Sequence, residues 1–318
     1  MIVILIETIG RRALIEIHSK DLSKLLTLIY YDFWPSNIAD EATHKNVTKK
    51  SNIFFTFFMS YTIVGSFCMM QTVIFASVAG IKPFFTLYPQ PLETSPYYEC
   101  VYVLETYLSL DVSFTTNGTD IILMSLLFIC TAQFEIISSY FKVNFEKLLL
   151  LSDEDERGQK AKNLLFECIE KHNMLLESCK ILDKPYGDFM FCRFMTAVGA
   201  ICLSIFIVNF QPENMLTGVT YFLAHMVEIF IYCFLGNEII IQSSKLSEVV
   251  FHCGWHLLTT TKDKEIQKAL SMMILRSQKP TSISIGGFGS LTLEIYIKLV
   301  KFSFSIYTVL SKVVSRTD

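Results

Sequence analysis

The stretch Arg276–Ser315, RSQKPTSISIGGFGSLTLEIYIKLVKFSFSIYTVLSKVVS, decides the fold. It opens with a basic, polar segment, is punctuated by Pro280 and Gly286–Gly287, and continues as an apolar run with helical periodicity. A helix from Ile283 to Ser311 would be about 43 Å long, more than the ~30 Å hydrocarbon core of a bilayer requires. Charged and hydroxyl side chains interrupt the run, and charges that face lipid are costly. The pattern predicts a spanning helix that turns its polar half towards other helices or water.

The composition is that of a polytopic membrane protein. Of the 318 residues, 52% are hydrophobic, 14% aromatic and only 18% charged, and the mean hydropathy is +0.43. Soluble domains do not usually combine these values. The net charge of −3 argues against a nucleic-acid partner, which needs a basic surface. The sequence therefore predicts an all-α membrane helix bundle, surrounded by membrane lipid and without a nucleic-acid partner.

Five segments are long and apolar enough to span a bilayer. The first of them carries no charged residue at all, and the fourth carries only His225 and Glu228 between Asn214 and Asn237. We predict one domain of residues 1–318, with a cytosolic segment 1–50 and spans at about residues 51–81, 119–141, 190–211, 214–242 and 284–312.

Basic residues predict the orientation of these spans. Residues 1–50, 142–189 and 243–283 are rich in Lys and Arg, whereas the loop 82–120 holds only Lys82. Because basic loops stay in the cytosol, these three segments are predicted to be cytosolic and the C-terminus extracellular. Apolar residues recur at helical spacing in the second and third segments, which predicts long cytosolic helical extensions.

A glycosylation sequon, Asn117-Gly118-Thr119, lies in the 82–120 loop. The predicted orientation places Asn117 on the exoplasmic side, close to the membrane, where a glycan can be attached. The alternative is that the sequon occurs by chance and is not used.

The chain begins abruptly with MIVILIETIGRRALIEI. The apolar part of this stretch, Met1–Ile6, is too short for a span, and an amphipathic helix follows it. We expect this start to be the cytosolic end of an upstream span, in an N-terminally incomplete version of a larger protein.

Several stretches resemble the insect odorant receptor family. The tail FGSLTLEIYIKLVKFSFSIYTVLSKVVS is similar to the last helix of these receptors, and Met272–Pro280 is a second match. Asp32-Phe33-Trp34 resembles the aspartate–tryptophan stretch that follows the family's second span. The run Ser95–Tyr98 is typical of the family's long second exoplasmic loop. The resemblance covers nearly the whole chain.

The resemblance implies a seven-span protein of the plasma membrane, of which five complete spans are visible here. Members of the family are subunits of tetrameric, ligand-gated, non-selective cation channels, usually assembled with an obligatory co-receptor. Their last helix lines the pore, and their cytosolic helices hold the subunits together. On this resemblance we expect a tuning subunit of a heterotetramer that binds small volatile molecules in sensory neurons.

The resemblance also places a gate near the exoplasmic end of the last helix. The matching positions are Val309 and Val313, one turn apart on one face. Apolar rings close a pore by excluding water; the alternative is that both valines contact only lipid or neighbouring helices. Glu294 and Lys298 are four residues apart and either line a hydrated vestibule or neutralise each other between helices.

The ligand site is expected to be an apolar, aromatic-lined cavity with few polar groups, because an odorant is small and apolar. In the resembled family it lies among the spans, in their exoplasmic half, where methionines help it to fit different shapes. Core packing is the alternative role of each candidate, and His225 and Glu228 either tune the polarity of the cavity or satisfy each other. The predicted ligand residues are Met70, Val73, Ile74, Met124, Phe128, Phe206, Tyr221 and His225.

No Ser/His/Asp set and no paired carboxylates fall on one predicted face, so we predict no enzyme, no cofactor and no metal. A gustatory receptor of the same superfamily is the nearest alternative function. A G-protein-coupled receptor would need a cytosolic C-terminus, and a secondary transporter would need repeated halves with broken helices.

Overall fold

The fold is all-α, as the sequence predicts. The computed structural model describes the backbone of residues 2–79, 97–210, 215–254 and 264–314. Within these ranges the only extended pairing is a single antiparallel bridge between Ser284 and Ser290. A short 3-10 turn, Ser36–Ile38, precedes the third α-helix. The α-helices of the described residues are α1 (Ile2–Ile17), α2 (Ser19–Tyr31), α3 (Glu41–Ala79), α4 (Tyr97–Leu149), α5 (Glu154–Phe210), α6 (Met215–His252), α7 (Lys264–Ser277) and α8 (Leu293–Val314).

Helix α4 extends well beyond the span predicted within it. Its 53 residues correspond to about 80 Å of helix. It passes through Asn117 without a break, and the Asn117 amide donates to the Ser113 hydroxyl at 3.3 Å. The sequon is therefore part of a helix, whereas the sequence predicts a loop there.

The junction between α4 and α5 is a tight, capped turn. The Asp153 carboxylate accepts the backbone N–H of Asp155 at 3.0 Å, which satisfies one of the unpaired donors at the start of α5. Three acidic residues fill the first turn of α5, where the helix dipole favours negative charge. Helix α5 then continues for 57 residues in spite of Pro185 in its interior.

The chain divides into two compact units. The first comprises residues 1–18 and 46–125, and the second comprises residues 19–45 and 126–318. Each unit has buried apolar side chains of its own, such as Val112 in the first. The single domain over residues 1–318 stays a prediction.

In the first unit, two arginines of α1 pair with acidic residues of α4. Arg11 is buried, and its guanidinium donates to Asp120 at 2.7 Å and to Glu7 at 2.8 Å. Arg12 pairs with Asp111 at 2.5 Å. These residues hold α1 beside the first half of α4.

The pairing of Arg11 with Asp120 joins residues from two segments with different predicted locations. Residues 1–50 are predicted to be cytosolic, whereas Asp120 lies where the predicted exoplasmic loop 82–120 meets the predicted span 119–141. The contact places Arg11 beside the start of that span. Counting basic residues applies to solvated loops, whereas Arg11 is a buried charge neutralised by carboxylates; the orientation of the spans stays a prediction.

In the second unit, α5 packs against α6 and α8, and α6 packs against α7 and α8. The interior is aromatic: Tyr186 of α5 and Tyr232 of α6 meet edge to face with ring centroids 6.1 Å apart. Such edge-to-face contacts add to the burial of apolar area. The largest fully buried side chains of this unit also include Phe134, Phe141 and Phe145 of α4.

Three helices of the described residues, α4, α5 and α6, are long and apolar enough to cross a membrane. Each overlaps one predicted span, at 119–141, 190–211 and 214–242. The predicted span 51–81 falls on α3, whose described part ends at Ala79, and the predicted span 284–312 falls only partly on α8. These two spans stay predictions, because many side chains of α3 lie outside the described residues and because α8 carries several charged residues. The prediction of helix from Ile283 is wrong, because Gly286 and Gly287 adopt positive φ values in a turn and α8 begins at Leu293.

Candidate functional site

Helix α8, which carries the predicted gate, has one packed and one open face. Thr292 caps its start, since the Thr292 hydroxyl accepts the Ile295 N–H at 3.3 Å. Leu299 and Ser303, one turn apart, are buried, and the helix packs against α5 and α6. Its exposed large apolar side chains are Ile297, Phe302, Phe304, Val309 and Leu310. A helix with this much exposed apolar surface needs lipid, a second subunit or a pore beside it.

The predicted gate lies at the open end of α8. Val309 is 60% exposed, so no other part of the described chain covers it fully. The side chain of Val313 lies outside the described residues, although the helix extends past it to Val314. A ring of valines contributed by several subunits stays a prediction.

The predicted pair on α8 is confirmed as an ion pair. Lys298 Nζ lies 2.6 Å from Glu294 Oε1, and the two side chains are 65% and 74% exposed. The pair is therefore not buried between helices of this chain. Exposed pairs of this kind contribute little to stability, and the vestibule lining stays a prediction.

The predicted ligand residues of the first unit are only partly described. Met70, Val73 and Ile74 lie in α3, and their side chains are outside the described residues. Met124 of α4 is buried. Its burial fits core packing as well as it fits a ligand contact.

The predicted ligand residues of the second unit lie on three helices. Phe128 of α4, Phe206 of α5 and His225 of α6 are half-buried, and Tyr221 of α6 is 40% exposed. Phe206 and Tyr221 lie near the ends of α5 and α6 that the connection 211–214 joins. The convergence of these side chains on one ligand stays a prediction.

A buried charge cluster that the sequence does not predict joins α5 to α6. The Arg193 guanidinium donates to Glu228 Oε2, and both side chains are buried. His225 Nδ1 lies 3.7 Å from the same oxygen, too far for a hydrogen bond. Among the described residues, Glu228 Oε1 has no hydrogen-bond partner. The sequence pairs Glu228 with His225; the structure shows that Arg193 is the main partner of Glu228.

The segment 32–40, which we call the strap, is held to α4 by backbone contacts. The Trp34 N–H donates to Gln133 Oε1 at 3.1 Å, and Gln133 Nε2 donates to the Trp34 carbonyl at 2.7 Å. The Trp34 ring lies 4.5 Å from the Tyr140 ring. Lys171 of α5 donates to the Asp32 carbonyl at 2.8 Å. The strap contains the aspartate–tryptophan stretch, and its anchors on α4 and α5 are residues that sequence reasoning missed.

The other end of the strap is fixed by Asp40. Its N–H donates to the Ser139 hydroxyl at 3.1 Å, and the same hydroxyl donates back to the Asp40 carboxylate. The hydrogen bond from Ser139, with a smaller one from Thr43, lowers the pKa of Asp40 below its ordinary value. Gln133 and Ser139 are polar residues within the predicted span 119–141, and polar side chains in an apolar span are the signal that could have found them.

A cavity of about 360 Å³ lies between the end of α4 and the start of α5. Its lining mixes charged, polar and leucine side chains: Tyr140, Asn144, Lys147, Leu148, Leu151, Lys160, Leu164 and Glu167. It shares no residue with the predicted ligand site. Among the described residues no group of three or more His, Cys, Asp or Glu side chains is arranged to hold a metal ion.

Relatives among known proteins are odorant receptors. Odorant receptor 13a of Drosophila melanogaster is 23% identical over 326 residues, which is 94% of this chain and 75% of that protein. Odorant receptor 22c of the same organism is 24% identical over 136 residues. This second match spans 42% of the present chain and only about a third, 33%, of the relative.

The fold matches that of a solved receptor. The insect olfactory receptor OR5 from Machilis hrabei, whose structure is in complex with eugenol, superposes with a TM-score of 0.82 at 16% identity. The superposition covers 98% of this chain and 79% of that receptor. The sequence model of the 7tm Odorant receptor family matches residues 5–304. The chain therefore belongs to the seven-transmembrane odorant receptor family, whose members are receptors and not enzymes.

Proposed function

We propose that the chain is an odorant-binding, tuning subunit of a ligand-gated, non-selective cation channel. The observation that carries this proposal is the open face of α8. Phe302, Val309 and Leu310 are exposed on this face, and lipid, a neighbouring subunit or a pore would cover it. The match to the odorant receptor family favours neighbouring subunits and a central pore over lipid alone.

The ligand of this receptor is a small volatile organic molecule. The proposed contacts on the second unit are Phe128, Phe206, Tyr221 and His225; the candidates Met70, Val73, Ile74 and Met124 belong to the first unit. The aromatic rings offer apolar area, and the Tyr221 hydroxyl and the imidazole offer two hydrogen-bonding groups. The relative OR5 was solved with eugenol, a small aromatic molecule, which supports this ligand class.

The channel is a heterotetramer with an odorant co-receptor, located in the plasma membrane of sensory neurons. Its C-terminus is extracellular, and a glycan on Asn117 would need an exoplasmic, accessible sequon. An epitope tag after Asp318, stained on intact cells, tests the orientation. Staining that appears only after permeabilisation would contradict an extracellular C-terminus.

The proposed function is tested by recording currents from cells that express the chain together with an insect odorant co-receptor. We expect an inward cation current in response to members of a panel of volatile molecules, absent from cells that express the co-receptor alone. Surface staining in the same cells serves as the control for delivery. A chain that reaches the surface and gives no current above the co-receptor background with any member of the panel would contradict the proposal.

The ligand site is tested with a matched pair of aromatic substitutions. Tyr221→Ala is expected to raise the odorant concentration for half-maximal current by about tenfold, the effect of losing ~1.4 kcal/mol of binding free energy. Phe251→Ala, an exposed aromatic at the other end of α6, is expected to leave that concentration unchanged. Equal shifts in both variants would contradict the site.

A further inference from the structure

The segment between α7 and α8 forms a turn closed by its own backbone hydrogen bonds. The Leu291 N–H donates to the Ile283 carbonyl at 2.8 Å, and the Ile285 N–H donates to the Gly289 carbonyl at 2.9 Å. Gly286 and Gly287 have φ values of 53° and 81°, a backbone region that favours glycine. The side chains of Ile283, Ile285 and Leu291 are buried. We call residues 281–292 the α7–α8 turn.

Helix α5 holds one side of the α7–α8 turn. The Asp183 carboxylate accepts the Ser284 N–H at 2.6 Å. A Cβ added at Gly187 would lie 2.8 Å from the Ser284 hydroxyl, so the turn approaches α5 as closely as a glycine allows. The Phe288 ring stacks on Phe191 of α5 with centroids 5.0 Å apart.

Helix α6 holds the opposite side of the turn. A Cβ added at Gly236 would lie 2.5 Å from the Leu291 carbonyl oxygen and 2.7 Å from Leu291 Cβ. Carbon atoms pack at about 3.5–4.0 Å, so a methyl group at position 236 would have to push Leu291 away by about 1 Å. Further along α6, the Ser243 hydroxyl accepts the Thr281 N–H at 2.9 Å.

The turn is followed at once by α8. Leu291 precedes the capping residue Thr292, and about 24 Å of continuous helix separates Leu293 from Val309. A helix transmits a shift at its start to its end with little loss, because its backbone is fully hydrogen-bonded. The helices that hold the turn, α5 and α6, are also those that carry Phe206, Tyr221 and His225.

We propose that Gly236 and Asp183 are positioning residues for the gate, which set the place of Leu291 and so the start of α8. The inference rests on the proposed channel function and deepens it. When ligand binding moves α5 relative to α6, the α7–α8 turn that is packed between them shifts as well. Helix α8 then transmits this shift to Val309. Glycine at position 236 is needed because any side chain there separates α6 from the turn, although glycine is less favourable than alanine within a helix.

The test compares two glycine-to-alanine variants in full-length chain co-expressed with the co-receptor. Gly236→Ala displaces the turn, whereas Gly199→Ala, on α5, adds a methyl group where nothing lies within 4 Å. The measured quantity is the ratio of odorant-evoked to spontaneous current at equal surface amount. We expect Gly199→Ala to keep the wild-type ratio and Gly236→Ala to lower it at least fivefold.

A purely structural role gives a different result. Evoked and spontaneous currents would then fall together with the amount of protein at the surface, their ratio would stay constant, and the inference would be overturned. If Gly236→Ala does not reach the surface, Asp183 provides the second comparison. Asp183→Asn keeps an acceptor for the Ser284 N–H and should keep the ratio, whereas Asp183→Leu should lower it; equal ratios in the two variants would overturn the inference.

A readout that needs no current separates this inference from the proposed function. The amide protons of Ile285 and Leu291 are hydrogen-bonded within the α7–α8 turn. Hydrogen exchange in the purified receptor therefore reports whether the turn stays packed on α5 and α6. We expect exchange across residues 283–291 to be at least tenfold faster in Gly236→Ala than in wild type or Gly199→Ala. A wild-type receptor without odorant-evoked current would contradict the channel proposal. Equal exchange rates in Gly236→Ala and wild type would contradict the claim that Gly236 fixes the position of the turn.

Discussion

Two ion pairs of the second unit involve the same kinds of group in opposite surroundings. Glu294 and Lys298 lie one turn apart on α8 and are both exposed, whereas Arg193 and Glu228 lie on different helices and are both buried. Water screens the first pair, so its loss changes little. The second pair has lost its water, so each charge depends on the other. Sequence spacing identifies the pair that matters least for the fold.

The largest effect is expected for Glu228→Ala. Removing one partner of a buried pair leaves the Arg193 guanidinium buried without its carboxylate, which costs about 3–5 kcal/mol. We expect a large fall in the thermal midpoint of the detergent-solubilised receptor. Replacing both residues with Met removes both charges and should recover most of the stability. If the double Met variant is no more stable than Glu228→Ala, then the unpaired charge of Arg193 is not the cause of the destabilisation.

His172 is a third buried titratable group, outside the predicted spans, and its protonation makes the stability of the fold depend on pH. Burial, with a smaller effect of the Arg276 charge, lowers the pKa of His172 from 6.5 to about 4. Above pH 6.5 the imidazole is neutral in both the folded and the unfolded state, and its full contribution is present. Between pH 6.5 and 4 the unfolded chain binds a proton that the folded chain does not, so stability falls as the pH falls.

The total loss from this histidine is about 3 kcal/mol by pH 4. Thermal midpoints measured from pH 8 to pH 4 test it, and His172→Gln should flatten that part of the profile. His252→Gln, at the exposed end of α6, serves as the matched control. A wild-type profile that is no steeper than that of His172→Gln would contradict the assignment.

A smaller effect is expected at the strap. Gln133→Leu removes both hydrogen bonds to Trp34 and leaves a partly buried N–H and carbonyl unpaired, at a cost of about 1–3 kcal/mol. Gln159→Leu on the exposed surface of α5 is the matched substitution and should have no such effect. Proteolysis within the strap, followed by mass spectrometry, should be faster in Gln133→Leu alone. Equal cleavage of both variants would mean that Gln133 does not hold the strap.

The smallest effect is expected for Glu294→Gln. The exposed pair with Lys298 contributes so little that the thermal midpoint should not change measurably. If Glu294 lines a hydrated vestibule, the same variant should lower the cation current at low ionic strength, where charges are least screened. A clear loss of stability would show that the pair is buried in the assembled channel.

The sequence predicts what is local and misses what is distant. The all-α fold and the Glu294–Lys298 pair follow from composition and spacing alone, because each depends on residues near one another in the chain. Arg193 and Glu228 are 35 residues apart, and no sequence pattern predicts that they form a pair. Arg11 and Asp120 are 109 residues apart, and their pairing cannot be found from the sequence for the same reason.

The candidate site shows the same division. The glycine pair at 286–287 is recognisable as a turn, and the resemblance in the tail places Val309 on the helix that ends the described chain. The need for glycine at position 236 depends on Leu291, which meets it only after α6, α7 and the α7–α8 turn have folded together. Contacts that fix the start of α8 are therefore invisible in the residues of α8 itself.

The most direct test of the account asks whether Val309 lines the pore. Val309→Cys is co-expressed with the co-receptor, and a charged, membrane-impermeant thiol reagent is applied during odorant-evoked current. We predict that the reagent blocks the current in Val309→Cys and not in wild type or in Leu310→Cys, whose side chain leaves the same exposed helix in another direction. A current in Val309→Cys that survives complete labelling of the cysteine would contradict the claim that Val309 lines the pore.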